Sequence, residues 1–451
     1  MNLLRKLPKI DKIMSNPIFK NLNTTRIAEI AKAKIETLRE SILAKKVEDF
    51  SNEELLNEIK YSYDKLFEPS LKPLINATGV ILHTNMGRSL IAENILGEAS
   101  KVICNYSNLE YNQKKGCRGD RYEHVSEHLK NLLHVEDVLV VNNNASAVFL
   151  ILNTFSKNKE AIVSRGELVE IGGSFRIPEV MSQSGAILHE VGATNKTNKA
   201  DYKKAINENT AMLMKVHQSN FSIEGFSSDT SYADIKELCD EHNLIDYYDL
   251  GSGYVPELPY NLGNNEPSLK TILKDNPALI SFSGDKLFGS VQAGIIAGKK
   301  ELIDKLKENQ LLRMLRVDKI TLSILEETIK AYLKEDYKSI PTLWMLFQTE
   351  ESLHVRALSV QKEVGESTCN VIKSKTVMGG GTLPNREFPT VALHVKGKAS
   401  ELERKFRKNN IIGRIENDMF LIDFRSILPE FEEQIIDTIK NTRVMVEKNL
   451  T

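Results

Sequence analysis

The chain has 451 residues, with 60 Lys+Arg against 61 Asp+Glu and a net charge of −1, so it carries no whole-protein field for nucleic acid and any RNA contact must use a local patch. With 41 % hydrophobic and 27 % charged residues it is no disordered polymer, and its length calls for two or three domains rather than one core. Cys104, Cys117, Cys239 and Cys369 are far apart without CxxC pairing and read as reduced thiols. No run reaches the ~18 apolar residues of a membrane span and no secretory leader is visible, so a cytoplasmic location without membrane contact is expected.

Residues 1–72 carry apolar positions at helical spacing among charges, as in Ile27, Ile30, Ile35 and Leu38 and again in Leu55, Leu56, Ile59 and Tyr63. A small helical domain is expected there. Within residues 1–50, 11 Lys+Arg stand against 6 Asp+Glu (11 − 6 = 5 in excess), which suits either a solvated helical face or a surface that contacts RNA. From Leu74 onward short apolar runs alternate with helical patterns. The runs from Val138 to Val141, Ala161 to Val163, Ala211 to Met214, Ile245 to Tyr248 and Leu279 to Phe282 read as buried strands. Their alternation with helices predicts an α/β domain with a mainly parallel sheet over 73–335, with ligands at the carboxyl ends of the strands. Charged helical sequence follows at about 299–335. Over 336–451 a smaller C-terminal α/β domain is expected, with strands from Val391 to Val395 and from Phe420 to Phe424. There is no internal repeat and no low-complexity tract.

Three short stretches carry chemistry. Asn142-Asn143-Asn144-Ala145-Ser146-Ala147 follows one strand and opens an apolar helix, where free backbone N–H groups form an anion cradle; an asparagine N-cap and nothing more is the plainer reading. Asp249 follows the run ending at Tyr248, and a carboxylate there either keeps a pyridinium nitrogen protonated or caps a turn. Lys286 lies in Ser283-Gly284-Asp285-Lys286-Leu287-Phe288-Gly289, between a strand and an apolar stretch. Partial desolvation there favours the neutral amine that attacks an aldehyde to form a Schiff base, and Ser283 offers a hydroxyl to a phosphate. A lone lysine after a strand is more often a surface residue, but cradle, aspartate and lysine together are far more specific.

Longer stretches carry a resemblance. They are Ile75-Asn76-Ala77-Thr78-Gly79-Val80, His83-Thr84-Asn85-Met86-Gly87-Arg88, Tyr106-Ser107-Asn108-Leu109-Glu110-Tyr111, Arg118-Gly119-Asp120-Arg121-Tyr122, the run from Ser164 to Arg176, Lys215-Val216-His217, Met314-Leu315-Arg316-Val317-Asp318-Lys319, Gly379-Gly380-Gly381-Thr382-Leu383-Pro384 and Gly413-Arg414-Ile415-Glu416. Across nearly its whole length the chain resembles the bacterial selenocysteine synthases, the L-seryl-tRNA(Sec) selenium transferases among the fold-type-I pyridoxal phosphate enzymes. Met86, Ser290 and Val291 stand where that family carries Leu, Gly and Pro, and the last two bear on the turn after the lysine.

The resemblance implies pyridoxal 5'-phosphate as cofactor, on Lys286, with Asp249 at the ring nitrogen, Asn144, Ala145, Ser146 and Ser283 at the phosphate, and Phe175 or His217 over the ring. The implied substrate is tRNA(Sec) charged with serine. Lys286 would take the α-proton, the β-hydroxyl would leave as water, and selenide from selenophosphate would add at the β-carbon. Since the serine carboxylate is esterified, arginines are free for another anion. Arg88, Arg313 and Arg316 match family positions for the selenophosphate donor, and a spacing of three puts Arg313 and Arg316 on one helical face. Arg118 and Arg121 reach either an active site or a neighbouring subunit. The family also implies a homo-oligomer, a ring of dimers such as a decamer, with active sites between subunits; no metal is expected. Two rivals are a lyase of this fold acting on a small amino acid or amino sugar acid without tRNA, and an RNA-binding scaffold that has lost the chemistry.

Overall fold

Apolar residues spaced three and four apart produce two long helices in the first part of the chain, α1 (Thr24–Leu43) and α2 (Asn52–Leu66). Each has a defined start: the Asn23 side chain accepts the Arg26 N–H, and the Ser51 hydroxyl accepts those of Glu53 and Glu54, two acidic residues well placed against the helix dipole. Ile27, Ala31 and Ile35 meet Leu55, Ile59 and Tyr63 in a core completed by Ile13 and Phe19. This unit, Met1–Pro73, is compact by itself, as is a second unit, Leu74–Thr451. The computed structural model describes residues 2–448 apart from 169, 172–174, 220, 222, 224 and 265.

The second unit is built on seven strands: β1 (Asp137–Val141), β2 (Glu160–Ser164), β3 (Ile187–Val191), β4 (Thr210–Val216), β5 (Ile245–Ser252), β6 (Leu279–Ser283) and β7 (Gly294–Gly298). They lie in the order β1-β7-β6-β5-β4-β2-β3. All run parallel except β7, which is antiparallel to both β6 and β1. Alternate residues feed two cores: Val138 and Val140 go to one with Ile280, Phe282 and Ile295, while Leu139 and Val141 go to the other with Met212, Met214 and Ile296. Burial on both faces explains why these strands read as unbroken apolar runs. β3 and β7 went unseen in the sequence because Ile187–Val191 is half polar and Gly294–Gly298 is glycine-flanked.

A four-stranded antiparallel sheet follows, from β8 (Cys369–Gly379), β9 (Thr382–Val395), β10 (Arg414–Glu416) and β11 (Met419–Asp423), in the order β8-β9-β11-β10. The expected strand ending at Phe424 stops one residue early, where the Asp423 side chain caps a 3₁₀ turn. Residues just after Pro73 join this C-terminal part: Ile75 and Asn76 pair in parallel with Ile411 and Ile412, and Leu82 bridges Gly379. Among the described residues no helix is long and apolar enough to cross a membrane.

Candidate active site

β5, β6 and the start of a helix bring the three chemical stretches to one edge of the sheet. Asp249 lies within β5, not after it, at a bulge where the register shifts before Gly251. It is 4 % exposed, and its Oδ1 accepts from Asn144 Nδ2 at 2.8 Å and from the Gly251 N–H at 3.1 Å. Burial pushes its carboxyl up, against those two hydrogen bonds and the charges of Lys286 and His217. Gly251 has φ +66°, and a Cβ there would sit 3.0 Å from Ser219 Oγ, so the bulge beside the carboxylate requires glycine.

Lys286 sits in the turn after β6, 8 % exposed. Burial draws its amine below the usual lysine range; the Asp249 carboxylate opposes this and the Arg88 guanidinium adds to it. Backbone bonds fix the turn: Gly284 N–H to Ala293 O, Ser290 N–H to Gly284 O and Gly289 N–H to Lys286 O, each 2.8 Å. Ser89 Oγ lies 2.9 Å from the carbonyls of both Asp285 and Lys286. Gly289, at φ +72°, passes so close to Ile340 that a Cβ would approach its Cγ2 to 2.5 Å. Ser290, in the family's glycine place, is buried with its hydroxyl donating to Thr328 Oγ1 at 2.9 Å, so the departure is accommodated.

Helix α3 (Asn144–Phe155) begins at the carboxyl end of β1. The Asn143 side chain caps it by accepting the Ser146 N–H at 2.8 Å, and the first-turn N–H groups of Asn144 and Ala145 have no partner within the helix. Together with the positive end of the helix dipole they suit a dianionic phosphate. Ser283 closes β6 and is buried. The backbone N–H of His217 donates to Asp249 O at 2.8 Å, and its ring Nε2 lies 2.8 Å from Glu266 Oε2. Phe175 is the last named candidate; its side chain lies outside the described residues.

Four buried side-chain oxygens have no hydrogen-bond partner among the described residues, namely Asn144 Oδ1, Ser156 Oγ, Ser219 Oγ and Glu266 Oε1. Three of the four belong to this site, Ser156 lying at the far end of α3: Asn144 is bonded to Asp249, Ser219 faces Gly251, and Glu266 holds His217. Open acceptors beside a buried carboxylate and a buried amine fit a polar aromatic aldehyde carrying a phosphate, with Lys286 for its aldehyde, Asp249 for its ring nitrogen and the α3 turn with Ser283 for its phosphate.

The arginines divide. Arg88 donates to Asp285 Oδ2 at 2.8 Å, next to the lysine. Arg313 and Arg316 instead line a cavity of about 380 Å³ with Arg118 and Arg121, which Arg88 does not line. The shared helical face expected for Arg313 and Arg316 is not formed, because the helix ends at Leu315 and Arg316 is extended, with ψ 148°. That break lets the Leu315 carbonyl accept the Asn142 N–H at 2.8 Å, tying Arg316 to the asparagine turn. Glu110 gathers the group, bonding Arg121 Nε at 2.8 Å, Arg118 Nη2 at 3.3 Å and facing Arg316 Nη1 at 3.7 Å. Arg121 holds the Glu110 carboxyl below the usual range. Glu266 and Ser89 were not singled out in the sequence: each is an ordinary residue in a polar loop, and only folding sets it against the site.

This sheet order, with strand β7 reversed and a lysine, an aspartate and a helix N-terminus at its carboxyl edge, defines the large domain of the fold-type-I pyridoxal phosphate enzymes. The family model for L-seryl-tRNA selenium transferase matches residues 74–428. The L-seryl-tRNA(Sec) selenium transferase of Aliarcobacter butzleri (strain RM4018) is 58 % identical over 445 residues, covering 98 % of this chain and 99 % of that one. That of Sulfurimonas denitrificans is 53 % identical over 444 residues, with the same coverage. The chain belongs to the L-seryl-tRNA selenium transferase family. The solved structure of D-glucosaminate-6-phosphate ammonia-lyase matches with a TM-score of 0.58 at 16 % identity, covering 84 % of this chain and 97 % of that one, which reflects the shared fold.

Proposed function

We infer that the chain converts seryl-tRNA(Sec) to selenocysteinyl-tRNA(Sec) with pyridoxal phosphate as cofactor. The observation that carries this is the buried Lys286 amine placed with Asp249 and the α3 turn at one sheet edge, in a chain of this family. When bound, the cofactor supplies an electron sink for the negative charge that develops at the serine α-carbon. Asp249, gripped by Asn144 and Gly251, is the acceptor that keeps a ring nitrogen protonated. Asn144, Ala145 and Ser146 bind the phosphate through the α3 N-terminus, and Ser283 adds a hydroxyl. Lys286, whose burial favours the neutral amine, takes the α-proton as general base while the β-hydroxyl departs as water. His217, held by Glu266, or Phe175 is the flat side chain for the ring's face.

The selenium donor is selenophosphate, held by Arg88, Arg313 and Arg316, whose guanidinium forks match a tetrahedral oxyanion. Arg88 stands at the lysine turn and the other two across the asparagine turn, an arrangement consistent with a site completed between subunits of a homo-oligomeric ring. The N-terminal unit, with its basic surplus, supplies an RNA-contacting surface, and the enzyme works in the cytoplasm. A small-molecule lyase without tRNA is not favoured, since relatives matched over 98 % of the chain, N-terminal unit included, bear the selenium transferase name. Incubation with seryl-tRNA(Sec) and selenophosphate, followed by analysis of the aminoacyl group, tests the reading. Selenocysteine is expected; serine left unchanged by cofactor-loaded protein on intact tRNA would reject it.

A further inference from the structure

A cavity of about 430 Å³ opens beside the candidate site, lined by His217 and by Tyr248, the neighbour of Asp249. Its charged lining residues cancel, Lys196, Lys215 and Arg386 against Glu167, Asp229 and Glu266. Lys215, almost wholly buried, is satisfied internally, with Nζ 3.0 Å from Glu167, 2.9 Å from Asp229 and 2.9 Å from the Thr230 carbonyl. Glu266 is different. It is 3 % exposed, one carboxylate oxygen meets His217 at 2.8 Å, and the other, Oε1, is buried with no partner among the described residues. An unpaired buried carboxylate oxygen is costly and calls for an O–H or N–H donor. Balanced charges, with the one cation next to the sheet already neutralised, favour an uncharged, hydroxyl-bearing group over an anion.

Covalent connectivity says which group that is, on the reading of the substrate as an esterified serine. The α-carbon, the carboxyl carbon and the ester oxygen are consecutive atoms, so the terminal ribose begins only three bonds from the reacting centre, about 4 Å away. It must therefore occupy space that touches the reacting centre, and of the two cavities described it is this one that is lined by a residue of the lysine site, His217, while the other is lined by the arginines assigned to the donor. A terminal ribose acylated at one vicinal position keeps one free hydroxyl, which is a donor. We propose that this cavity is the subsite for the terminal nucleoside of the RNA, and that Glu266 Oε1 accepts the hydrogen bond of its free ribose hydroxyl. Glu266 thereby links recognition of an RNA end to the position of His217, and free serine, which has no such hydroxyl, leaves the carboxylate unpaired.

The inference rests on the proposed aminoacyl-tRNA substrate, and the test separates the two. Single-turnover loss of serine is measured with seryl-tRNA(Sec) ending in adenosine or in 2'-deoxyadenosine, on the cofactor-loaded wild type and on Glu266→Ala. Turnover of the adenosine-ended RNA by wild type checks the substrate; without it the functional reading itself fails. Given that turnover, removal of the hydroxyl is expected to lower wild-type kcat/KM by about 10-fold or more, the range for a hydrogen bond to a charged group. In Glu266→Ala the same removal should cost less than about 2-fold, since the partner is already gone. Equal wild-type rates on the two RNAs would overturn the proposal without recourse to any variant. An undiminished penalty in Glu266→Ala would overturn it too, by placing the hydroxyl's partner elsewhere. If the alanine variant does not fold, Glu266→Gln takes its place, with the penalty expected to shrink because a neutral acceptor replaces a charged one.

Discussion

The lysine site and the arginine cluster sit near the same asparagine turn but are built on opposite principles. Lys286 and Asp249 are buried, hang on strand ends, and have their proton affinities set by desolvation before any partner acts. Arg118 ends a two-residue strand, and Arg121 and Arg316 are loop residues, around the partly exposed Glu110, and one carboxylate keeps them together. In the first region the protein excludes water so that a weak amine becomes a base. In the second the cations grade from sheltered to wet, Arg121 with 12 % of its side chain exposed against 40 % for Arg316 and 78 % for Arg118, and the exposed ion pairs there contribute little stability. A buried site loses function when one atom is changed, whereas a wet cluster loses it by degrees.

The largest effect should come from Lys286→Ala, which removes both the covalent anchor and the base: turnover falls by at least ~10³-fold and the borohydride-sensitive absorbance band disappears. A variant retaining that band would break the assignment. Asp249→Asn comes next. Activity is expected to fall by about 10²-fold or more, while Tm of the cofactor-free protein holds or rises, because burial raises the native carboxyl's proton affinity and the charge is then a cost above the usual aspartate range. A large drop in Tm would mean that Asp249 is structural first. Arg316→Ala sharpens the other side of the comparison, with KM for the selenium donor up about 10-fold, weaker dependence of that KM on salt, and serine elimination nearly unchanged; equal loss in both half-reactions would refute a donor role.

The smallest effect is a pH slope. Burial lowers the native Lys286 value below that of the unfolded chain, near ~10.4, so between the two the unfolded state binds the extra proton and stability rises with pH, levelling off above the unfolded value. Lys286→Met removes that penalty. Its cofactor-free Tm should exceed wild type at neutral pH, with the gap closing as pH rises; a gap independent of pH would show the amine to be unperturbed.

Much of this architecture was legible before folding was considered. Five of the seven large-sheet strands stand out because both faces are buried and the sequence there is apolar without interruption. β3 and β7 do not, because an edge strand such as Ile187–Val191 keeps polar residues and a short reversed strand between glycines looks like a loop. Lys286, Asp249 and Asn144 were readable as a set from their places at or just past the ends of apolar runs. The arginines misled at one point: three-residue spacing implies a shared helical face only if the helix continues, and here the chain leaves it at Arg316 to meet the asparagine turn.

What the sequence determined by itself is the frame and its chemistry, namely the apolar runs, the turn glycines, and one lysine, one aspartate and one capped helix start at strand ends, since these follow from local burial and backbone geometry. Only the tertiary structure decided the pairings. Asn144 meets Asp249 from 105 residues away, Glu266 meets His217 from 49, and Glu110 collects arginines from separate loops. The reason is physical: desolvation and hydrogen bonding depend on what lies close in space, and spacing along the chain carries no record of which distant carboxylate will be left with one oxygen unpaired.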